Sequence, residues 1–390
     1  MQTTADVVII GAGVIGCSTA YHLTRMGITE VVVIEMDQVG SGSSGQSASM
    51  LSLQFCTDEL SARMAKYSYA RYKQFEEEIG VSTDFKRMGW ISLATQESAA
   101  HLSRSAKMLQ SLGVRTDILT PEEIKQRYPE INTEDIVLGT WGPDDGPFDP
   151  HMIMWGYISR AREMGAKLHQ GVRATGIRVR KGKVEGVITN KGFVATEMVV
   201  NAGGPWAIEI GKWVDVQIPI TNSARSIVVT GPFPDIPSTR PFFEDVTTEW
   251  YFRPEGPGIL MGMGSSPTEK LDIPFRMEVM DGMIDTAVHR VPILEKASFL
   301  TGWTGVRPMT LDDHPILGPV PSVDGFILNC GWGGTGIIQA PIAGQLVAET
   351  ISDGHASTMD IGPFRIGRFE GKSIEGVRDL RVLARQDANH

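Results

Sequence analysis

The sequence predicts an α/β protein with a parallel sheet near its N-terminus and a second, mostly antiparallel sheet inserted further along. Val7–Ile10 and Val31–Ile34 are continuous β-branched runs, as strands buried on both faces require. A helix with a periodic apolar face, ending at Gly27, separates the two runs. In residues 216–303 longer strand-like runs alternate with turn residues, which predicts a separate sheet layer.

The turn after the first strand carries Gly11, Gly13 and Gly16 in G-x-G-x-x-G spacing. Such glycines provide a tight turn, a close approach of the backbone to a pyrophosphate, and close packing of helix on strand. Glu35 ends the second strand 24 residues after Gly11, near the ~20 expected for an acid that binds a ribose hydroxyl pair. Its charge disfavours the 2′-phosphate of NADP. The pattern predicts a Rossmann-type dinucleotide site and leaves NAD and FAD open.

Directly after this acid comes a second small-residue loop, GSGSSGQSASM, at residues 40–50. Its free backbone N–H groups and hydroxyls suit a ribityl-pyrophosphate chain. A flexible linker is the alternative interpretation, because Gly/Ser runs often serve only that purpose. The residues of this loop that we predict to bind cofactor are Ser43, Ser44, Gln46, Ser47 and Met50.

The remaining pattern is one of alternating elements and turns. Asp149 and Pro150 predict the N-cap and first position of a helix through Arg162. Helices are predicted over 58–79, 97–112 and 275–288, a strand meander over 176–194, and a buried strand entering a helix within 198–206. A last strand at 325–330 leads through the glycine turn 331–336 into a helix at 337–351. We predict that the polar tail beyond residue 353 lies over the surface.

Composition restricts the class of protein. A chain of 390 residues predicts two domains or one large domain with an insertion. Its net charge of −10 argues against nucleic acid or an anionic membrane as the main partner. No apolar run reaches the roughly 18 residues of a membrane span, and no signal peptide is evident, which predicts a cytoplasmic protein. Cys17, Cys56 and Cys330 lack metal-site spacing, so we predict reduced, packed thiols and no metal.

Near the C-terminus, RPMTLDDHPILG at residues 307–318 precedes the terminal GWGGTG turn. Together with the first glycine turn, the Ser/Gly loop, DGPFDP and VNAGGPW, these motifs resemble the D-amino-acid oxidase-like flavoproteins over nearly the whole chain. That family includes glycine oxidase, sarcosine oxidase, and the flavin-bearing β subunits of proline and sarcosine dehydrogenases. Leu311 departs from the family pattern, which usually has proline there.

The resemblance implies one extended FAD held by both ends of the chain. The first glycine turn would hold the pyrophosphate and the last would reach the isoalloxazine ring. There a helix N-terminus, with about half a positive charge, would stabilise the negative charge that develops on the flavin. Beyond the first turn and loop, the residues so implied for cofactor binding are Ala202, Gly203, Gly333, Gly334, Thr335 and Gly336.

The same resemblance predicts the division into domains. Residues 1–88, 141–215 and 303–390 would form a discontinuous FAD-binding domain, and residues 89–140 and 216–302 a substrate domain on the mostly antiparallel sheet. The identity of the substrate would then be decided by residues in the variable sheet between 216 and 303.

For the substrate, the resemblance places Arg307 in the pocket, where a guanidinium suits bidentate capture of a carboxylate. A structural ion pair is the alternative role for Arg307. Tyr251 is similar in position to an active-site tyrosine of the family, although an aromatic residue on a core strand more often packs. His314 is more typical of a turn residue than of a base.

We therefore predict a flavoenzyme that oxidises a small amino acid, preferably an N-alkyl or cyclic secondary amine such as sarcosine or proline, to an imine. Relatives that tether the flavin use a cysteine where this chain has Gly305, or a histidine in the loop at 42–50, so we predict noncovalent FAD. Glycine or D-amino-acid oxidation, a β subunit of a dehydrogenase complex, an FAD-binding scaffold and an NAD-only dehydrogenase are the alternatives. The electron acceptor, whether oxygen, a protein or a quinone, and the state of homo- or hetero-oligomerisation stay open.

Overall fold

The computed structural model describes residues 3–372. The helices are short to medium in length and alternate with strands along the chain. In chain order the α-helices are α1 Val14–Arg25, α2 Glu59–Lys73, α3 Phe75–Ile79, α4 Ala99–Ser111, α5 Pro121–Arg127, α6 Pro150–Glu163, α7 Ala207–Lys212, α8 Asp281–Arg290 and α9 Gly336–Asp353.

The strands form two large sheets and two small ones. In chain order they are β1 Val7–Ile10, β2 Val31–Ile34, β3 Met50–Leu51, β4 Trp90–Thr95, β5 Asp117–Leu119, β6 Ile136–Gly142, β7 Gly146–Pro147, β8 Lys167–His169, β9 Ala174–Arg180, β10 Lys183–Thr189, β11 Gly192–Ala195, β12 Val199–Asn201, β13 Ile220–Thr230, β14 Phe242–Asp245, β15 Trp250–Glu255, β16 Gly258–Gly262, β17 Ser266–Pro267, β18 Phe299–Thr310, β19 Ile316–Pro319 and β20 Phe326–Cys330.

The first large sheet has the order β19-β20-β12-β1-β2-β8 and is parallel except for the pair β19 and β20. Successive side chains of a strand alternate between the two faces. Val7 and Ile9 pack in the core formed with α1, α6 and α9, whereas Val8 and Ile10 pack in the core under the β9–β11 meander and α7. Both faces are therefore covered, which is why β1 is apolar throughout.

The second large sheet contains nine strands, ordered β17-β13-β16-β15-β14-β4-β6-β5, with β18 paired to β13. Its neighbours are antiparallel except for β14 and β4. One face packs in its own core, around Ile91, Phe243 and Phe252. The other carries Trp90, Phe242 and Tyr251 toward the first sheet. The predicted α/β class with a mostly antiparallel second sheet is confirmed.

Two element predictions are corrected by the structure. The helix predicted over 58–79 is two helices, because Gln74, with φ −98° and ψ 0°, ends α2 and precedes α3. The tail predicted to lie over the surface is partly core: Ile361, Phe364 and Phe369 are buried. Phe364 and Phe369 lie in short 3₁₀ turns among polar residues, glycine and proline rather than in an amphipathic α-helix, so the composition of the tail did not reveal this burial. The tail from residue 373 onward lies outside the described residues.

The N-cap prediction for Asp149 is confirmed, since its carboxylate accepts from the backbone N–H groups of His151 and Met152 at 2.8 and 3.3 Å. The predicted domain boundary at residue 303 falls inside β18, a single strand of the nine-stranded sheet. The division into two discontinuous domains stays a prediction.

Candidate active site

A large cavity lies between the carboxyl ends of the parallel strands and the aromatic face of the nine-stranded sheet. Including its open mouth, it holds about 1860 Å³ free of protein atoms. Its position outside the carboxyl ends of parallel strands is where open α/β sheets bind their ligands. The lining runs from the first glycine turn, at Gly11, to the last, at Gly336, so the cavity suits an extended ligand such as a dinucleotide together with a small substrate.

The first glycine turn brings Gly11 and Gly13 to the cavity but leaves Gly16 behind it. Gly11 has φ +106°, and a Cβ there would lie 2.5 Å from the carbonyl oxygen of Ala202. A Cβ on Gly16 would lie 1.9 Å from the carbonyl oxygen of Gly11, so Gly16 lets α1 pack on the turn. Glycine is thus required at Gly16 by the packing of α1, and at Gly11 by its positive φ and the close approach of the Ala202 backbone.

Glu35 is buried at the end of β2 and also lines the cavity. Its Oε2 accepts from the backbone N–H of Ala12 at 2.8 Å, and its Oε1 accepts from that of Asp37 at 3.0 Å. Burial raises the pKa of Glu35, although these amide hydrogen bonds act in the opposite direction. The carboxylate is thereby fixed beside the glycine turn, in the position that a ribose-binding acid requires.

The Ser/Gly loop is hydrogen-bonded to other elements rather than free, which disfavours the linker interpretation. Ser44 Oγ accepts from the backbone N–H of Val14 at 3.1 Å, and Ser43 Oγ donates to the carbonyl of Val306. Trp303 Nε1 donates to the carbonyl of Gln46 at 2.9 Å. The loop therefore spans from the start of α1 to β18. Its cavity-lining members include Ser43, Ser44, Gln46, Ser47 and Met50.

The structure brings the middle and last glycine turns to the same cavity. Ala202 and Gly203 follow β12, directly beside the first turn. Gly333, Gly334 and Gly336 line the cavity where α9 begins. Gly333 has φ +52°, which favours glycine, and its N–H donates to the carbonyl of Pro308 at 3.0 Å.

Thr335 differs from its neighbours in the last turn. It is buried behind the turn, where its Oγ1 donates to the carbonyl of Trp332 at 2.9 Å, and it does not line the cavity. Within the predicted cofactor set, Thr335 and Gly16 are therefore placed to shape the backbone rather than to contact a ligand.

At the end of the cavity near the last turn lie Arg307 and Tyr251. A Cβ added to Gly334 would lie 3.2 Å from Arg307 Nη1, so the guanidinium packs directly on the glycine turn. Tyr251 is buried, and its hydroxyl has no hydrogen-bond partner among the described residues. His314 lies outside the cavity lining, and its Nε2 is 3.6 Å from Asp58 Oδ1.

Several cavity residues were missed by sequence reasoning. Phe55, Trp90 and Phe242 form a column of rings with Tyr251, with centroids 5.9, 3.9 and 5.3 Å apart in turn. Apolar residues on strands predict packing, and only the register of the sheet shows which rings face the cavity. Further lining residues are Trp213, Arg225 and Glu244, which no motif indicated, and Trp206 and Trp332, which lie within the VNAGGPW and GWGGTG motifs but were not predicted as site residues.

Asp145 fixes the loop that carries Phe55, and we expect it to control stability. Its Oδ2 accepts from Ser52 Oγ at 2.5 Å and from the backbone N–H groups of Leu53 and Gln54, each at 3.1 Å. Replacing Asp145 with alanine leaves these donors without their acceptor. Each buried donor so orphaned costs about 1 to 3 kcal/mol in the free energy of unfolding, and denaturant titration measures the loss.

Burial raises the pKa of Asp145 to about 6, so the folded protein holds this proton more tightly than the unfolded chain. Stability is therefore expected to fall as the pH rises from about 4 to 6, by about 1.4 kcal/mol per pKa unit. The free energy of unfolding of Asp145→Asn should lack this contribution, whereas Asp117→Asn, at an exposed strand position, should follow the unchanged protein. Parallel pH profiles for all three proteins would contradict the assignment.

Fold and site together define a class: an oxidoreductase that binds an extended dinucleotide between a parallel sheet and a substrate-facing antiparallel sheet. The turn glycines, the fixed Glu35 and the length of the cavity fit FAD. The chain belongs to the DAO family of FAD-dependent oxidoreductases, whose model matches residues 6–350. FAD is its cofactor.

The chain is also similar to individual proteins. The mitochondrial sarcosine dehydrogenase of Mus musculus is 28% identical over 98% of this chain. The mitochondrial pyruvate dehydrogenase phosphatase regulatory subunit of Mus musculus is 29% identical over 92% of it. This chain spans only 43% and 42% of those two proteins. The crystal structure of L-proline dehydrogenase from P. horikoshii, 29% identical, superposes with a TM-score of 0.87 over 95% of this chain and 99% of that one.

Among residues 3–372, none of the helices combines the length and apolar character that a membrane crossing requires.

Proposed function

We propose that this chain oxidises a small amino acid at its carbon–nitrogen bond, preferably a secondary amine such as sarcosine or proline, to an imine that water hydrolyses. The observation that carries the proposal is the packing of Arg307 Nη1 on Gly334. The guanidinium, a group suited to binding a carboxylate, thus lies directly beside the turn that opens α9. A substrate held there by its carboxylate would present its α-carbon to the same part of the cavity.

The residues of this chain would bind and orient that substrate. Arg307 would take the carboxylate through its forked donors, and the Tyr251 hydroxyl would add a third hydrogen bond. The rings of Trp90 and Phe242 would cover the apolar part of the substrate and exclude water. FAD, when bound, supplies the two-electron acceptor that takes the α-hydrogen as hydride. An uncharged amine needs no strong base for this step, so His314 has no role in it.

The family and the relatives support amino-acid oxidation in general, and the secondary amine is our narrower proposal. Sarcosine dehydrogenase and L-proline dehydrogenase are named for such substrates. Glycine or a D-amino acid is the close alternative. We also propose noncovalent FAD, because Gly305 offers no thiol and the loop at 42–50 offers no histidine to form a covalent link. Flavin should therefore leave the protein on acid precipitation.

The visible spectrum of the purified protein, recorded without oxygen, tests the proposal. We expect a yellow protein whose absorbance near 450 nm, the flavin band, is bleached by sarcosine or proline more readily than by glycine or D-alanine. Re-oxidation by air or by an added quinone then identifies the class of electron acceptor. A yellow protein that no amino acid bleaches would contradict the proposed activity, and a colourless one would contradict the cofactor.

A non-enzymatic role is the second candidate, because one relative is named as a regulatory subunit. In that case FAD would bind and stay oxidised with every amine. A role as the flavin-bearing subunit of a larger complex is a third candidate, since this chain spans less than half of two relatives. Co-purification of further chains from the native host would favour it, and size-exclusion chromatography would report homo-oligomers.

A further inference from the structure

A largely buried ion pair lies in the wall of the cavity next to the residues proposed above. Arg225, on β13, donates through Nη2 to Glu249 Oε2 at 2.8 Å. The two side chains are only 10% and 13% exposed to solvent. Taking two charges out of water is unfavourable, and their attraction compensates only where the geometry is well fixed. Because Arg225 lines the cavity, the geometry of this pair directly affects the cavity wall.

The guanidinium of Arg225 is held from a second direction and in turn holds an aromatic ring. Its Nε donates to the carbonyl of Gly264 at 2.6 Å. Its central carbon lies 5.5 Å from the centroid of the Tyr251 ring, within the range of a cation–π contact. The same ring stacks on Phe242, with centroids 5.3 Å apart and planes at 21°. Tyr251 is therefore fixed by both a cation and a ring.

The hydroxyl of Tyr251 occupies space that a glycine leaves. Gly262 pairs with Tyr251 across β15 and β16, and a Cβ on Gly262 would lie 2.4 Å from the hydroxyl oxygen. This oxygen is buried and has no hydrogen-bond partner among residues 3–372. A buried hydroxyl without a partner is unfavourable. Its position therefore indicates that a ligand supplies the hydrogen-bond partner of this hydroxyl.

The register of the sheet brings this arrangement next to Arg307. Across β13 and β18, Arg225 pairs with Gly305 and Ser223 pairs with Arg307, so Arg225 and Arg307 are diagonal neighbours on one face. Such neighbours have Cα atoms about 7 to 8 Å apart. Glu249 completes the arrangement from a left-handed backbone position, with φ +59°, that L-residues rarely adopt.

We propose that the Arg225–Glu249 ion pair is a positioning device that aims the Tyr251 hydroxyl at the carboxylate which Arg307 binds. The inference rests on the proposed function of the same site. Arg225 acts through Tyr251 rather than by contact with the reacting atoms. Its effect on ligand binding should therefore require the Tyr251 hydroxyl.

The inference is tested by the binding of 2-furoate, a carboxylate without an amine, to the FAD-loaded protein. The change in the flavin spectrum on binding gives the Kd. We expect Arg225→Met to raise the Kd at least tenfold, with Tyr251→Phe having a similar effect. The double variant should bind no more weakly than Tyr251→Phe alone, because both changes remove the same hydrogen bond, the one from the Tyr251 hydroxyl. Arg225→Lys keeps the charge without the fork, and Glu249→Gln removes the partner charge, so each should give part of the loss.

The chain offers a matched control outside the cavity. Arg240 donates to Glu130 at 2.6 Å, and its guanidinium carbon lies 5.4 Å from the centroid of the Tyr128 ring. Arg240→Met therefore removes the same kind of ion pair and cation–π contact, at a comparable cost in thermal stability. We expect its Kd for 2-furoate to stay within twofold of that of the unchanged protein.

The outcomes separate the two proposals. Suppose that Tyr251→Phe weakens the binding of 2-furoate, whereas the variants of Arg225 and Glu249 bind it with the Kd of the unchanged protein. The positioning role is then wrong, and the proposed function stands. Multiplied losses in the double variant would equally overturn the positioning role. If the unchanged flavoprotein binds no carboxylate at all, the proposed function fails first and the inference fails with it.

Discussion

Arg307→Met is expected to raise the substrate concentration needed for half-maximal flavin bleaching by about 100-fold or more. Two hydrogen bonds to a charged carboxylate are lost together, which corresponds to roughly 3 kcal/mol. Methionine keeps most of the side-chain volume beside Gly334, so the last glycine turn should retain its shape. Anaerobic stopped-flow titration with the best substrate of the panel separates the binding constant from the limiting rate of bleaching.

Two further variants serve as controls for Arg307→Met. Arg307→Lys keeps a positive charge without the fork and should lie between the two extremes. Arg63→Met removes an exposed ion pair on α2, between side chains with 57% and 60% exposure, and should leave bleaching unchanged. If Arg307→Met is bleached at the same substrate concentration as the unchanged protein, Arg307 belongs to a structural ion pair instead.

Gly16→Ala is expected to yield a protein that no longer retains FAD and unfolds more easily. The new Cβ would lie 1.9 Å from the carbonyl oxygen of Gly11, and backbone atoms cannot rotate away as a side chain can. The first glycine turn and α1 must therefore separate, by an overpacking that costs at least about 1 to 3 kcal/mol. Flavin content after gel filtration and the midpoint of thermal unfolding measure the two effects.

Gly282→Ala, within α8, is the control for this change. There the added Cβ would meet only the terminal methyl of Met263, at an ordinary 3.5 Å. Alanine favours a helix more than glycine does, so this variant should keep its flavin and gain or lose little stability. Retention of FAD at full occupancy by Gly16→Ala would contradict the close packing of α1 on the turn.

Sequence reasoning succeeded best where the chemistry depends on local spacing. The strand, the glycine turn and α1 are adjacent in the chain, and Glu35 follows after one further strand, so a single pattern specifies them all. The same holds for the last turn, because Gly333 and its neighbours directly precede α9. The helix break at Gln74 was not predicted, because α2 and α3 carry a continuous helical pattern.

The substrate end of the cavity depends on contacts that no local pattern contains. Trp90, Arg225 and Phe242 come from separate strands, and each faces the cavity only because of the pairing of those strands. A shift of one residue in register would turn each of them to the opposite face. Arg307 and Tyr251 were placed in the pocket by resemblance, not by spacing.

The fold class and the positions of the glycine turns follow from the sequence alone, because they depend on residues close together in the chain, and the resemblance of motifs along nearly the whole chain indicated FAD and the family. Long-range packing, in contrast, places Gly16 and Thr335 behind the cavity, buries Ile361, Phe364 and Phe369 of the tail, and brings Arg225 against Tyr251. Contacts between residues far apart in sequence depend on strand register and helix packing, which the pattern of a single segment does not encode.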